Sequence, residues 1–106
     1  MEPFIPREKR PEDKIRDAIV KQLELRGWFC KITNGNMYQS GLPDIYATHK
    51  EHGPKWIEVK RRDKDRLTGA QKRDFPRFSE NGAPIWILTS VDELHLIFGR
   101  ENWRDF

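Results

Sequence analysis

The stretch Trp56-Ile57-Glu58-Val59-Lys60 decides how the rest of the chain is read. Apolar and polar residues alternate along it, the period-two pattern of a strand with one face on a core. Ile57 and Val59 take the core face, and Glu58 and Lys60 share the opposite one. Upstream, Ile45-Tyr46-Ala47-Thr48 predicts another strand, and the turn signal His52-Gly53-Pro54 joins the two into a hairpin. Further back, Trp28 to Ile32 predicts a first strand closed by Asn34-Gly35-Asn36.

Downstream of Lys60 a basic loop over 61–67 leads to Thr68-Gly69-Ala70-Gln71, which has the form of a capping box and opens a helix. Pro76 predicts a kink in that helix or a later start. Asn81-Gly82-Ala83-Pro84 ends it, and Ile85-Trp86-Ile87-Leu88 is short and apolar enough for a strand buried on both faces. Leu94, Leu96 and Phe98 alternate as a further strand. Near the start, Pro11 suits a first helical position. Ile15, Ala18, Ile19 and Leu23 recur at helical spacing, and Gly27 ends a helix over 11–26. The order α-β-β-β-α-β predicts a mixed α/β fold, a hairpin-built sheet flanked by helices. Residues 1–10, with two prolines and no period, predict an arm; 11–98 form the domain; 99–106 are a polar-aromatic tail.

Composition narrows the function. The 106 residues allow one domain. The chain is polar, with 35% charged residues and a mean hydropathy of −0.88, yet four Trp, six Phe and two Tyr supply core bulk. No apolar run approaches the ~20 residues of a membrane span. The N-terminal stretch lacks the apolar region of a secretory signal. The single cysteine, Cys30, rules out an intrachain disulfide framework and Cys-based zinc ribbons, and fits a reducing cytoplasm. The net charge of +3 is mild, but residues 60–73 hold seven basic side chains against Asp63 and Asp65. Arg61, Arg62, Lys64, Arg66, Lys72 and Arg73 are therefore candidates for phosphate contacts, with a solvated loop as the plainer reading.

The chemistry gathers around Glu58 and Lys60. A carboxylate that holds a hard divalent cation beside an ammonium that positions water or steadies charge is what metal-assisted phosphodiester hydrolysis needs. Two acid-x-Lys triplets occur, about as many as chance gives, and only this one lies on an expected strand. Gly41-Leu42-Pro43-Asp44 adds a second acid at the start of the preceding strand. In a hairpin, Asp44 and Glu58 converge, and the Val59 carbonyl completes an oxygen donor set for Mg²⁺ or Mn²⁺. An ordinary ion pair on a wet face remains the plain alternative for Glu58 and Lys60, and a turn-forming role for Asp44. Glu12 lies on the apolar face of the first helix, where the helix dipole alone accounts for an acid. Gln71 is either a helix cap or a hydrogen-bonding group of the site. His49 and His52 have ligand-like spacing, but they flank a turn without an evident third partner and read as loop histidines. No Gly-rich nucleotide loop and no Ser-His-Asp relay is present.

Taken together, Glu12, Gly41-Leu42-Pro43-Asp44, Ile57-Glu58-Val59-Lys60 and Leu67-Thr68-Gly69-Ala70-Gln71 resemble, in order and spacing, the VRR-NUC domains of the PD-(D/E)XK nuclease superfamily. The resemblance runs over about residues 12–91, including Gly27-Trp28-Phe29 and Gly82. It implies a restriction-endonuclease-like αβββαβ core. It also implies that Asp44, Glu58 and the Val59 carbonyl hold Mg²⁺ or Mn²⁺, that Lys60 orients the water, and that Gln71 and Glu12 support the site. Small members of this family resemble dimeric Holliday-junction resolvases, so the expected partners are branched DNA and a second copy of the chain, with no nucleotide cofactor. The short length suggests a phage or mobile-element origin. A non-catalytic nucleic-acid-binding module on the same fold is the alternative.

Overall fold

The computed structural model describes residues 10–33, 40–62 and 66–106. Residues 1–9 of the expected arm, the Asn34-Gly35-Asn36 turn and Lys64 lie outside the described residues. Helix α1 spans Pro11–Leu25. Pro11 occupies a first-turn position whose N–H would be unpaired in any case, and the Asp13 carboxylate accepts the Arg10 N–H at 3.3 Å. The helix stops at Gly27, whose φ of +89° is the left-handed conformation glycine adopts without strain. Its inner face buries Ile19 and Leu23.

Strands β1 (Phe29–Ile32), β2 (Ile45–His49) and β3 (Gly53–Val59) form an antiparallel meander, and β4 (Ile85–Leu88) lies parallel to β3. The parallel step needs a crossover, which helix α2 (Gly69–Glu80) provides. The expected turn His52-Gly53-Pro54 shifts by one or two positions. Residues 50–52 make the turn, while Gly53 and Pro54 already belong to β3.

Alternation along β3 and β4 sorts side chains onto two faces. Ile57, Val59, Trp86 and Leu88 join Ile19, Leu23, Trp28, Ile45 and Ala47 in the core beneath α1. Ile85 and Ile87 point the other way, into a second core with Phe75 and Trp103, against which Trp56, Leu67, Phe78 and Phe106 pack. The sheet is therefore covered on both sides, which is why all four β4 residues are buried.

Of the two readings of Pro76 the later start is not the one observed, and the expected last strand needs correction. Helix α2 starts at the capping signal despite Pro76: Thr68 Oγ1 accepts the Gln71 N–H at 3.1 Å, and the helix continues through the proline to Glu80. The strand expected at Leu94, Leu96 and Phe98 is instead a 3₁₀ helix over Val91–Phe98. Leu94 and Ile97, three residues apart, are buried together with Val91 packed behind them, and a three-residue turn stacks such positions on one face. Ser90 starts it by accepting the Asp92 N–H at 3.1 Å.

Residues 99–106 close the exposed edge of β4 with side chains. Glu101 Oε2 accepts the Ile85 N–H at 2.9 Å, and Asn102 pairs with both the N–H (2.6 Å) and the carbonyl (2.9 Å) of Ile87. Ser79 Oγ donates to the other oxygen of Glu101, tying this segment to α2 as well.

Candidate active site

The site forms where β2 begins and β3 ends. Asp44 is delivered by the turn before β2. Thr33 fastens that turn from the neighbouring strand, its hydroxyl donating to the Pro43 carbonyl at 2.5 Å and its N–H to the Asp44 carbonyl at 2.8 Å. Gly41 sits in this turn at φ +86°, packed so closely on α2 that an added Cβ would lie 2.5 Å from Asp74 Oδ2 and 3.0 Å from the Ala70 carbonyl.

Asp44 and Glu58 then brace each other through the backbone. The Asp44 N–H donates to Glu58 Oε1 at 3.2 Å, and the Val59 N–H donates to Asp44 Oδ2 at 2.8 Å. The N–H and C=O of one strand residue share an edge, so the Val59 carbonyl also projects toward Asp44.

On the far side of Glu58, Gln71 Nε2 donates to Oε2 at 2.9 Å, and Lys60 Nζ stands 3.3 Å from the same oxygen. Lys60 Nζ also donates to Gln71 Oε1 at 2.7 Å, and the Thr68 N–H reaches that oxygen at 3.0 Å. Gln71 is thus helix cap and site residue at once, so the two readings of it coincide. Glu58 and Lys60 do not lie on a wet face: they are 4% and 6% exposed, covered by α2.

Two carboxylates buried side by side repel. Burial raises the Asp44 pKa above the usual carboxylate value. Burial, followed by the Asp44 charge, raises that of Glu58 to about 8, against the opposing pull of Lys60 and Gln71. Such a pair is stable as two anions only when a positive charge is added. A donor set of carboxylate and carbonyl oxygens fits a hard divalent cation such as Mg²⁺ or Mn²⁺. The residues present fit the group.

The other expected residues are placed less uniformly. Glu12 meets Arg61 Nε at 3.8 Å, with its Oε2 buried and without a hydrogen-bond partner, so α1 is joined to the residue that follows Lys60. Arg66 and Lys72 are exposed. Arg62 contacts Glu93 at 3.9 Å, and Arg73 contacts Asp74 at 2.8 Å. Exposed ion pairs of this kind are weak, so these side chains remain open to exchange for phosphate. Burial raises the Asp44 pKa, and the charge of Arg16, one turn after Glu12 on α1 and not among the expected residues, opposes that rise after Val59, Lys60 and Glu58 do. The i, i+4 spacing from Glu12 was the signal that marked it.

No protein-family model matches the sequence, and no curated protein matches it. A solved structure described as a VRR_NUC domain superimposes with a TM-score of 0.72 at 21% identity, covering 85% of this chain and 97% of that one. The chain has the VRR_NUC fold. The four-stranded mixed sheet flanked by helices is consistent with that fold. Among the described residues, no helix is long and apolar enough to cross a membrane.

Proposed function

We propose that the protein is a Mg²⁺- or Mn²⁺-dependent DNA endonuclease that hydrolyses phosphodiester bonds in branched DNA, four-way junctions included, as a homodimer. The observation that carries this reading is the buried set in which Asp44 and Glu58 brace each other and Gln71 holds Lys60 beside Glu58. The VRR_NUC fold supports it.

In this reading Asp44, Glu58 and the Val59 carbonyl hold the cation, which when bound polarises the scissile phosphate and acidifies the attacking water. Lys60 has three N–H donors. Among the described residues Gln71 Oε1 and Glu58 Oε2 engage two, leaving one to orient the water or meet the developing phosphoryl charge. Because Lys60 is buried, that charge acts with little screening. Gln71 keeps the ammonium from swinging into salt-bridge geometry with Glu58 alone, and Glu12 with Arg61 secures the α1 side. Arg61, Arg62, Lys64, Arg66, Lys72 and Arg73 guide the phosphate backbone past the site. The exposed apolar side chains Phe29 and Ile32 of the edge strand β1 support assembly with a second copy. Two sites related by a two-fold axis suit paired incisions across a junction.

The test is cleavage of an end-labelled four-way junction, alongside a flap and a linear duplex, in Mg²⁺, Mn²⁺ or EDTA. Cuts that need the metal and vanish in Asp44→Ala and Lys60→Ala establish the activity and rank the substrates. Binding without cutting, unchanged by either substitution, leaves a non-catalytic nucleic-acid-binding module instead.

A further inference from the structure

The turn at the other end of the β2–β3 hairpin places two imidazoles and a carboxylate together. His49, Glu51 and His52 each offer a ligand atom within 4.8 Å of those of the other two, the one such cluster of three among the described residues. The backbone explains why. The His52 N–H donates to the His49 carbonyl at 3.1 Å, closing a β-turn, and Gly53 at φ +73° returns the chain to β3. First and fourth residues of a turn face each other, and Glu51 lies between them. The third partner that the spacing of the histidines left unidentified is therefore inside the turn itself.

The rings are held in place. His52 stacks on Trp28 at 5.7 Å and 10° between planes, Phe98 meets the His52 ring edge-on at 5.0 Å, and the His49 ring centroid is 4.8 Å from that of His52. His49 turns Nε2 toward Gly27, where an added Cβ would lie 3.4 Å from it. Its Nδ1 accepts the N–H of the exposed Glu51 at 3.1 Å. A cation taking the Nδ1 lone pair releases that N–H to water, so the exchange leaves no buried donor unpaired.

We propose that this turn binds a borderline transition-metal dication, Zn²⁺ above all, through His49, Glu51 and His52. Two imidazoles and one carboxylate select Zn²⁺, Ni²⁺ or Cu²⁺ over Mg²⁺, which prefers an all-oxygen set. The site is separate from the Asp44–Glu58 pair: the register runs from Ile45 opposite Ile57 to His49 opposite Gly53, about 13 Å along β2 at ~3.3 Å per residue. Its effect is to clamp the hairpin turn and, through His52 and Trp28, the junction of α1 with β1.

The experiment is calorimetric titration of the chelator-stripped full chain with ZnCl₂ in excess Mg²⁺, which keeps the carboxylate site supplied with a hard cation. One Zn²⁺ per chain is expected, with affinity unchanged in Asp44→Asn and His95→Ala and at least ~10-fold weaker in His52→Ala and in Glu51→Gln. Cu²⁺ added to the wild-type chain should quench tryptophan emission, since Trp28 lies against both rings, and the quench should be lost in His52→Ala. Equal Zn²⁺ affinity in His52→Ala and wild type, or loss of binding in Asp44→Asn, overturns the proposal, as does the absence of saturable binding in the wild-type chain.

Discussion

The ammonium of Lys60 donates to the carboxamide oxygen of Gln71 at 2.7 Å, and that same oxygen receives the first unpaired N–H of α2, from Thr68, at 3.0 Å. One atom therefore finishes a helix and anchors a buried charge. Because both tasks fall on one oxygen, a change of this side chain alters the two together.

Gln71→Ala should accordingly fail in two ways. Loss of the reciprocal hydrogen bond from the Thr68 N–H costs about 0.5–1.5 kcal/mol, and loss of a hydrogen bond to the buried Lys60 ammonium costs roughly 1.5–3 kcal/mol more. Urea unfolding should show the combined loss. Single-turnover cleavage at a denaturant-free temperature well below the melting point should fall further than the unfolded fraction accounts for. A rate loss that merely tracks unfolding would assign Gln71 to the cap alone.

The raised pKa of Glu58 has a definite sign in stability. Unfolded, the carboxyl titrates near 4.5; folded and free of metal, it holds its proton to about pH 8. Between those values the folded state binds more protons than the unfolded state, so stability falls as pH rises and levels off above the folded pKa. Thermal melts in EDTA should show a lower Tm at about pH 8 than at about pH 5.5, and Mg²⁺ should flatten the difference by favouring the ionised form. Glu58→Gln removes the titrating group and should flatten the EDTA profile too. A Tm that climbs over this interval in EDTA would contradict the assignment.

Gly41→Ala probes the turn that delivers Asp44. The new methyl meets Asp74 Oδ2 and the Ala70 carbonyl, and φ is +86°. A strained non-glycine residue there costs about 1–3 kcal/mol, and even after the Asp74 side chain rotates aside the Ala70 backbone pushes the turn away from α2. Chemical denaturation should report the stability loss, and metal-dependent cleavage should drop with it, because Asp44 is three residues on. Ala at Gly82, whose Cβ would meet nothing within 4 Å, shares the positive φ without the clash and separates strain from displacement.

Asn102→Ala strips both hydrogen bonds from Ile87 at the edge of β4. Each buried backbone group left unpaired costs about 1–3 kcal/mol. The variant should unfold at lower urea and gain a tendency to self-associate, which light scattering detects, because an uncovered strand edge is a template for pairing.

What could be read from the sequence was local. The alternation of Trp56 to Lys60, the capping box at Thr68–Gln71 and the glycine after α1 each depend on neighbours a few residues away, and each stands in the structure as the sequence implied. What could not be read depends on distant partners. Nothing near Glu58 announces that α2, more than ten residues on, will bury it, so a wet face was the plain alternative. Leu94, Leu96 and Phe98 alternate, but Val91, Leu94 and Ile97 also recur every third residue, and packing against α1 chose the second pattern. The pairing of Asn102 with Ile87 spans fifteen residues and leaves no trace in composition. Arg16 was visible by spacing, yet only the fold shows that its charge reaches Asp44.

On the proposed function, the double duty of Gln71 also bears on when the chain can act on DNA. Lys60 is not restrained until α2 winds, because its anchor is the residue that caps that helix. In that reading the winding of α2 and the completion of the site are a single event, and a chain in which α2 has not wound should leave DNA uncut.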